Sequence, residues 1–222
     1  MQPLKYIRYF FYLLSKWDLR IASHVLQYDI KGEKKYGIQT TGVDHLRDLE
    51  NRDVDISHAT NYMPASYDLL ECFFERLKQK NLSGFLDIGC GKGRALCVAA
   101  HYGFRKLVGI DFSRSLCEDA KTNLELTKKM VTGISYSIMN NDAFYFDIPE
   151  YIDCIFLFNP FDDVILSGVI ENIDISLQEF PRDLYIIYFN PVYKQEFIDA
   201  GYKEIYYKKK LQYLDGSILK KG

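Results

Sequence analysis

The feature that most constrains the fold is a glycine cluster between an apolar run and a helical segment. The run Phe85–Ile88 has the length of a short buried strand, Gly89, Gly91 and Gly93 follow it, and Ala95–His101 has the pattern of a helix. Glycines at such a junction allow a tight turn and a close approach of the backbone to a ligand. The free N–H groups at the start of the helix favour a negative group such as a carboxylate. The sequence therefore predicts a binding loop at the carboxyl end of a strand.

Strand and helix patterns alternate after this loop. Apolar runs predict strands at 107–110, 134–138, 155–158 and 184–189, and helical patterns follow Ser113, cover 163–178 and end near Gly201. This alternation indicates βαβ units and a parallel sheet with helices on both faces. In the last stretch, 203–213 is rich in β-formers, and Asp215-Gly216 is a turn signal before 217–219, so the sequence predicts an antiparallel hairpin with its turn there. We therefore predict a Rossmann-like α/β fold.

The N-terminal part has a different pattern. A first helix carries the aromatic stretch Tyr9–Leu14, and a polar stretch with Gly32, Gly37 and Gly42 follows it. The apolar stretch is too short to span a bilayer and lacks a small-residue cleavage site, so we expect no transmembrane segment. An aromatic helix packed on the domain is the favoured interpretation, and a helix for a membrane surface or a partner is the alternative. We predict an N-terminal helical extension over 1–60 and the α/β domain over 61–222, beginning with a helix at 65–79.

Composition excludes several function classes. The 28 basic and 30 acidic residues give a net charge of −2, so nucleic acid is not a favoured partner. The five cysteines show no CxxC spacing, which suits reduced thiols in the cytoplasm better than a disulfide frame. The four histidines are scattered, and no metal site is indicated. The oligomeric state is left open.

Three aspartates follow or end predicted strands. Asp87, just before the glycines, would repel a pyrophosphate but suits an ammonium or a sulfonium. Asp111 ends the second strand and can accept hydrogen bonds from ribose hydroxyls, unless it only caps the next helix, a role that Ser113 also fits. Asp142 can accept a hydrogen bond from an exocyclic amine, and an Asx turn beside a core Phe144 is the alternative.

Asn159, in Phe158-Asn159-Pro160-Phe161, follows the fourth strand at the edge where open parallel sheets bind ligands. Its amide can hold a planar nitrogen by hydrogen bonds. An ordinary strand-ending turn is the alternative, since Phe189-Asn190-Pro191 repeats the pattern after the fifth strand. The next residues, Asp162 and Asp163, either attract a cationic substrate or cap the following helix.

Together these motifs resemble those of class I S-adenosylmethionine-dependent methyltransferases. Phe85–Leu96 resembles their motif I, Gly109–Asp111 their acidic second motif, and Asp142-Ala143 their adenine-contacting turn. Asn159-Pro160-Phe161 is similar to the Asn-Pro-Pro-aromatic motif of amino-methylating members, with Phe161 in the place of the second proline. The resemblance covers about residues 60–220. It implies a mostly parallel seven-stranded sheet that ends in an antiparallel hairpin.

The resemblance also implies a cofactor, S-adenosylmethionine, and a set of site residues. The three glycines would line its methionine end, Asp111 its ribose and Asp142 its adenine amine. The stretch Asn61–Tyr67 further resembles the Tyr-x-Pro segment of bacterial proteins distantly similar to Dot1-type lysine methyltransferases. It makes Tyr62 a candidate lid residue, with a tyrosine packed under the N-terminal helix as the alternative. The expected cofactor contacts are Tyr62, Asp87, Gly89, Cys90, Gly91, Gly93, Asp111, Phe112, Asp142, Ala143 and Asn159.

The predicted function is methyl transfer to a nitrogen, in a protein side chain or a small-molecule amine, with Asn159 as the catalytic candidate that orients the acceptor. The first alternative is a protein that binds the cofactor without transferring the methyl group, since the cofactor motifs are better defined than any catalytic residue. A nicotinamide oxidoreductase is a further alternative, and Asp87 and the terminal hairpin count against it. The sequence does not identify the acceptor.

Overall fold

The computed structural model describes residues 3–42, 63–158, 162–212 and 214–221. Seven α-helices and seven strands are found in these ranges. The helices are α1 (Pro3–Lys16), α2 (Leu19–Tyr36), α3 (Tyr67–Leu77), α4 (Arg94–His101), α5 (Arg114–Met130), α6 (Asp163–Glu179) and α7 (Lys194–Asp199). The strands are β1 (Gly84–Ile88), β2 (Lys106–Asp111), β3 (Ser135–Asn140), β4 (Cys154–Phe158), β5 (Leu184–Phe189), β6 (Lys203–Leu211) and β7 (Leu214–Lys221). Short 3₁₀ turns cover Lys78–Lys80 and Ala143–Tyr145.

The strands form one sheet in the order β3-β2-β1-β4-β5-β7-β6. Strands β1 to β5 pair in parallel, and β7 pairs antiparallel with both β5 and β6. The predicted seven-stranded, mostly parallel sheet with a terminal hairpin is confirmed. The strand order reverses between β1 and β4, and the crevice outside the carboxyl ends of such strands is where open α/β sheets bind ligands.

The sheet is covered by helices on both faces. One apolar cluster joins Phe73 of α3, Leu96 of α4 and Leu124 of α5 to the sheet, and the other joins Ile170 of α6 and Phe197 of α7 to the opposite face. Every residue of β1 and β5 is buried. Strands covered on both sides read as continuous apolar runs, which is why the sequence pattern located them.

The two N-terminal helices pack together and on the end of the hairpin. Tyr9 and Leu13 of α1, Ile21 and Val25 of α2 and Leu214 of β7 form a third apolar cluster. The expected packing of the aromatic helix on the domain is therefore confirmed, although α1 also has exposed apolar side chains, at Leu4, Ile7 and Phe11. Within the described ranges, no helix combines the length and the apolar character needed to cross a membrane.

Two sequence predictions were wrong in detail. The polar stretch with Gly32 is the second half of α2, which continues to Tyr36 and ends at Gly37 with φ 66°. A glycine is required at position 32 inside this helix, because a Cβ there would lie 2.2 Å from the ring of Tyr67. Asp215-Gly216 lies inside β7 and not in the hairpin turn. A Cβ on Gly216 would lie 2.6 Å from the Phe189 ring, so its glycine serves close packing in a strand.

Candidate cofactor-binding site

The glycine loop joins the carboxyl end of β1 to the start of α4. Gly89, Gly91 and Gly93 have φ values of 79°, 51° and 76°, a region that costs other residues free energy. The amides of Gly89 and Cys90 both donate to Ile110 O at 2.9 Å, and the Gly93 amide donates to Cys90 O at 2.8 Å. The loop is therefore tied to β2 on one side. On the other side it opens into α4, as the sequence predicted.

Asp111 lies at the end of β2, beside this loop. Its Oδ2 accepts from the Gly91 amide and its Oδ1 from the Ser113 amide, both at 2.8 Å. A carboxylate has about four lone-pair positions, so both oxygens keep capacity for a second donor such as a hydroxyl. Ser113 caps α5 by accepting from the Leu116 amide, so Asp111 is not needed as the helix cap. Its ribose-binding role stays a prediction that this geometry fits.

The acidic pair at the two strand ends makes the site electrostatically selective. Burial raises the pKa of Asp111 to about 6, although its two backbone hydrogen bonds oppose the shift. Burial also raises the pKa of Asp87 well above its ordinary value, and the nearby Asp111 adds to the shift. Both side chains are less than a tenth exposed. A further negative charge here is unfavourable and a cation is favourable, which suits a sulfonium better than a pyrophosphate.

Asp142 and Ala143 follow β3 at the same edge of the sheet. Asp142 is exposed, and its Oδ1 accepts from the Phe144 amide at 2.9 Å, which is the Asx turn considered as an alternative. The ring of Phe144 packs on α6, where a Cβ on Gly168 would lie 2.5 Å from it. Phe144 is therefore committed to packing, and the adenine role of Asp142 stays a prediction. The sequence missed Asn140, whose Nδ2 donates to Asp111 O and to Phe112 O.

Two of the predicted site residues lie outside the described residues. These are Tyr62, the candidate lid, and Asn159, the catalytic candidate. Next to the latter, Asp162 caps α6 by accepting from the Ile165 amide at 3.2 Å, so the capping interpretation is confirmed for this residue.

Sequence reasoning also missed the side chains that surround the glycine loop from the N-terminal side. Arg94, the first residue of α4, is only 3% exposed, and its Nη1 lies 2.6 Å from Asp29 Oδ1 of α2. Asn123 of α5 donates from Nδ2 to Lys92 O in the loop and to Gln39 O of the N-terminal region. No local pattern identified these contacts, because each joins residues more than 30 positions apart.

The comparisons with known proteins agree with this geometry. Residues 85–177 match a family model described as a methyltransferase domain. No curated protein matches the sequence. Magnesium protoporphyrin IX methyltransferase from Synechocystis PCC 6803, solved with bound S-adenosylmethionine, has a TM-score of 0.52 at 17% identity, over 69% of this chain and 77% of that one. The ribosomal protein L11 methylase of Lactobacillus delbrueckii subsp. bulgaricus has a TM-score of 0.51 at 20% identity, over 69% and 76%.

A third structure, the tRNA (uracil-54, C5)-methyltransferase of Pyrococcus abyssi in complex with S-adenosylhomocysteine, has a TM-score of 0.52 at 13% identity, over 72% of this chain and 39% of that one. At such identities these structures establish a shared fold. The chemistry of the site fits S-adenosylmethionine: the first turn of α4 offers backbone N–H groups, Asp111 offers acceptor positions, and the buried carboxyls favour a cation. Residues 85–177 therefore match a methyltransferase domain model and lie in a sheet with the Rossmann-like fold of class I methyltransferases.

Proposed function

We propose that this chain transfers the methyl group of S-adenosylmethionine to a nitrogen atom of an amine, in a protein side chain or a small molecule. The observation that carries the choice of nitrogen is Asn159-Pro160-Phe161, which directly follows β4 in the chain. Strand β4 is the neighbour of β1, the strand that leads into the glycine loop. The carboxyl ends of these two strands border the crevice where the order of the sheet reverses.

The described residues support a division of roles within the cofactor site. The amides at the start of α4 would hold the methionine carboxylate, because N–H groups at a helix start attract anions. Asp111 would accept from the ribose hydroxyls with its remaining lone pairs, and Asp142, exposed at the end of β3, would accept from the adenine amine. Asp87 and Asp111 together would favour the positive charge near the sulfur.

The chain has to align the acceptor and keep it dry for the transfer itself. When bound, S-adenosylmethionine supplies a methyl carbon activated by a sulfonium, so the new bond to nitrogen forms as the carbon–sulfur bond breaks. Asn159 would accept a hydrogen bond from the acceptor nitrogen through its amide oxygen and so direct the lone pair towards the methyl carbon. The proton that the product loses would go to water or to a carboxylate such as Asp163, which is exposed at the start of α6.

A protein lysine is the narrower acceptor that the Dot1-like resemblance suggests. Only Met63–Tyr67 of the segment that carries this resemblance lies within the described residues. There Tyr67 is buried under Arg94, with the guanidinium carbon 4.1 Å from the ring centroid. This contact does not distinguish between acceptors, so we propose a lysine side chain and a small cationic amine alike as the methyl acceptor. We propose the cytoplasm as the location, since all five cysteines carry free thiols and four of them are buried.

The first experiment is a calorimetric titration with S-adenosylmethionine and S-adenosylhomocysteine, with NAD as control. We expect micromolar binding of the first two and none of NAD. Labelled methyl transfer is then measured on lysine-containing peptides, polyamines and cell extract, and the methylated atom is identified by mass spectrometry. Product methylated on oxygen or carbon would contradict the choice of nitrogen. Cofactor binding without transfer to any acceptor would favour the non-catalytic alternative.

The role of Asn159 is tested with a matched pair of variants. Asn159→Ala should lower transfer far more than it lowers cofactor affinity, because the side chain is proposed to orient the acceptor in addition to contacting the cofactor. Asn190→Gly is the control, since Asn190 stands in the second Phe-Asn-Pro run and has φ 44°, which glycine adopts freely. This control should keep wild-type turnover. Full turnover by Asn159→Ala would show that the motif is only a strand-ending turn.

A further inference from the structure

The side chain of Arg94 joins the glycine loop to three parts of the N-terminal half. Its Nη1 donates to Asp29 Oδ1 at 2.6 Å and to Ala65 O at 2.8 Å, its Nε donates to Thr40 Oγ1 at 2.8 Å, and its Nη2 donates to Thr41 Oγ1 at 3.4 Å. The side chains of Arg94 and Asp29 are 3% and 1% exposed. The guanidinium of Arg94, the residue after Gly93, thus joins the glycine loop to α2, to the segment after α2 and to the residues just before α3.

The guanidinium of Arg94 is also held by an aromatic ring. It lies over the ring of Tyr67 at 4.1 Å, and the Tyr67 hydroxyl is 3.0 Å from Thr40 Oγ1. The Tyr67 ring is stacked on Tyr36, with centroids 5.6 Å apart and an interplanar angle of 8°. The absence of a side chain at Gly32 lets α2 approach this ring. The guanidinium of Arg94 is therefore held both by its hydrogen bonds and by the ring of Tyr67.

The segment 38–41, which follows α2, is bound to side chains along its backbone. The Gln39 amide donates to Asn123 Oδ1 at 2.9 Å, and Asn123 Nδ2 donates back to Gln39 O at 3.2 Å and to Lys92 O of the glycine loop at 2.9 Å. The amides of Thr40 and Thr41 both donate to Glu33 Oε1 at 2.6 Å. The segment therefore runs beside the glycine loop and is fixed to it through two side chains, Arg94 and Asn123.

We propose that Arg94 and Asn123 are positioning residues that brace the glycine loop against the segment 38–41, so that the N-terminal region is a structural part of the cofactor site. The proposal rests on the cofactor binding argued above and adds to it the residues that hold the loop in its binding conformation. It predicts that the N-terminal helices support cofactor binding and do not occlude it.

Two physical arguments favour positioning over stability alone. A loop with three glycines has more conformational freedom in isolation than a segment of the same length without glycine, so bracing it lowers the entropy lost when a ligand binds. A buried ion pair such as Arg94–Asp29 is a poor source of stability, because desolvation offsets most of the attraction. Its many directional hydrogen bonds fix geometry, which an apolar pair of the same volume would not do.

The test separates loop positioning from stability by combining two substitutions. In the full chain, Arg94→Met with Asp29→Asn removes the ion pair without leaving an unpaired buried charge. We expect this double variant to fold and to bind S-adenosylmethionine about ten-fold or more weakly in calorimetry. Asn123→Ala, which keeps the ion pair, is the second variant and should weaken binding in the same direction. Wild-type affinity in both variants would overturn the proposal.

The matched control is Arg182→Met. Arg182 is another arginine with several hydrogen bonds: its Nε donates to Ile152 O and its Nη2 donates to Ser176 Oγ. It lies before β5, at the amino ends of the parallel strands, whereas the glycine loop lies at their carboxyl ends. Its loss should lower stability and leave cofactor affinity unchanged. A ligand-free readout accompanies the titration: amide hydrogen exchange at Gly91 and Gly93 should accelerate in the double variant and not in Arg182→Met.

The two readouts keep the failures distinguishable. If the wild-type chain binds no S-adenosylmethionine, the proposed function fails, and the exchange rates still decide whether Arg94 positions the loop. If the wild type binds and the double variant shows unchanged exchange and unchanged affinity, the positioning role is wrong and the proposed function stands.

Discussion

The interior of the sheet domain and the junction between α2 and the glycine loop are both buried, but they are built from different chemistry. The sheet interior consists of two apolar clusters, with Leu86 and Leu157 among side chains that are fully buried. The junction buries Asp29, Arg94 and Thr40, which are linked by hydrogen bonds and an ion pair. Apolar contacts are roughly interchangeable if volume is kept, whereas each polar group at the junction needs one particular partner.

The largest expected effect comes from breaking the junction on one side only. Arg94→Met leaves the Asp29 carboxylate buried without its cation, and burial already raises the pKa of Asp29 although Arg94 opposes that shift. We expect a loss of about 3–5 kcal/mol in the free energy of unfolding, measured in urea. Adding Asp29→Asn should recover a large part of the loss. A loss of less than about 0.5 kcal/mol, which is the usual size for a surface substitution, would show that the ion pair is accessible to water.

The matched experiment in the sheet interior is a pair of substitutions at Leu157 of β4. Leu157→Ala should cost about 2–5 kcal/mol in urea, because it removes buried methyl groups and leaves a cavity. Leu157→Met, which keeps the volume, should cost less than about 1.5 kcal/mol. An equal loss of stability in the methionine and alanine variants would contradict the contrast between the two regions, since the sheet interior would then tolerate substitution no better than the junction does.

A third substitution tests the junction at Asn123, which is 3% exposed. Asn123→Ala removes the acceptor of the Gln39 amide and the donor to Gln39 O and Lys92 O, and should cost about 1–3 kcal/mol of unfolding free energy. Thr127→Val is the control on the same helix, because its hydroxyl donates to Asn123 O within α5 and interacts with Cys97 of α4. The valine variant should cost less than the alanine variant in the same denaturation assay, and a reversed order would contradict the bridging role of Asn123.

These two regions also differ in how far the sequence predicted them. Runs such as Phe85–Ile88 and Leu184–Phe189 were recognised as strands because burial on both faces makes them continuously apolar. The second half of α2 was missed because Asp29 and Glu33 are buried polar residues around Gly32, a pattern typical of a polar loop. The glycine loop and its aspartates were located by local spacing.

The partners of the loop were beyond reach of such reasoning. Arg94 and Asp29 are separated by 65 positions, and nothing in either neighbourhood indicates the other. Burial of a charged side chain is decided by a partner that arrives through the tertiary fold, so a local pattern does not encode it. Apolar periodicity therefore predicts a fold of this kind better than it predicts the polar contacts that support its binding site.

Asp111, at the cofactor site beside the glycine loop, should make both stability and cofactor binding depend on pH. Its pKa is raised to about 6 from an ordinary value of 3.8, so the folded state holds the proton more tightly, and this group's contribution to stability falls as the pH rises between those values. Cofactor affinity should change in the opposite direction, because the ionised carboxylate is the better acceptor for hydroxyls. We expect roughly ten-fold weaker binding of S-adenosylmethionine at pH 5 than at pH 7.5 by calorimetry. Asp111→Asn should bind weakly at both pH values, and an unchanged pH dependence in that variant would assign the effect to another group.

The smallest effect is expected from Tyr9, whose buried hydroxyl finds no hydrogen-bond partner of ordinary geometry among the described residues, as is also true of Asp29 Oδ2. Tyr9→Phe removes a desolvated polar group and keeps the ring, so we expect a change within about 1 kcal/mol of zero or a slight stabilisation. Tyr36→Phe is the matched control, because the Tyr36 hydroxyl donates to Glu71 Oε1 at 2.9 Å and its loss should cost about 0.5–1.5 kcal/mol. Urea denaturation of both variants gives the order. If Tyr9→Phe proves the more costly of the two, the Tyr9 hydroxyl donates to Asp29 in solution, and the polar network of the junction then extends into α1.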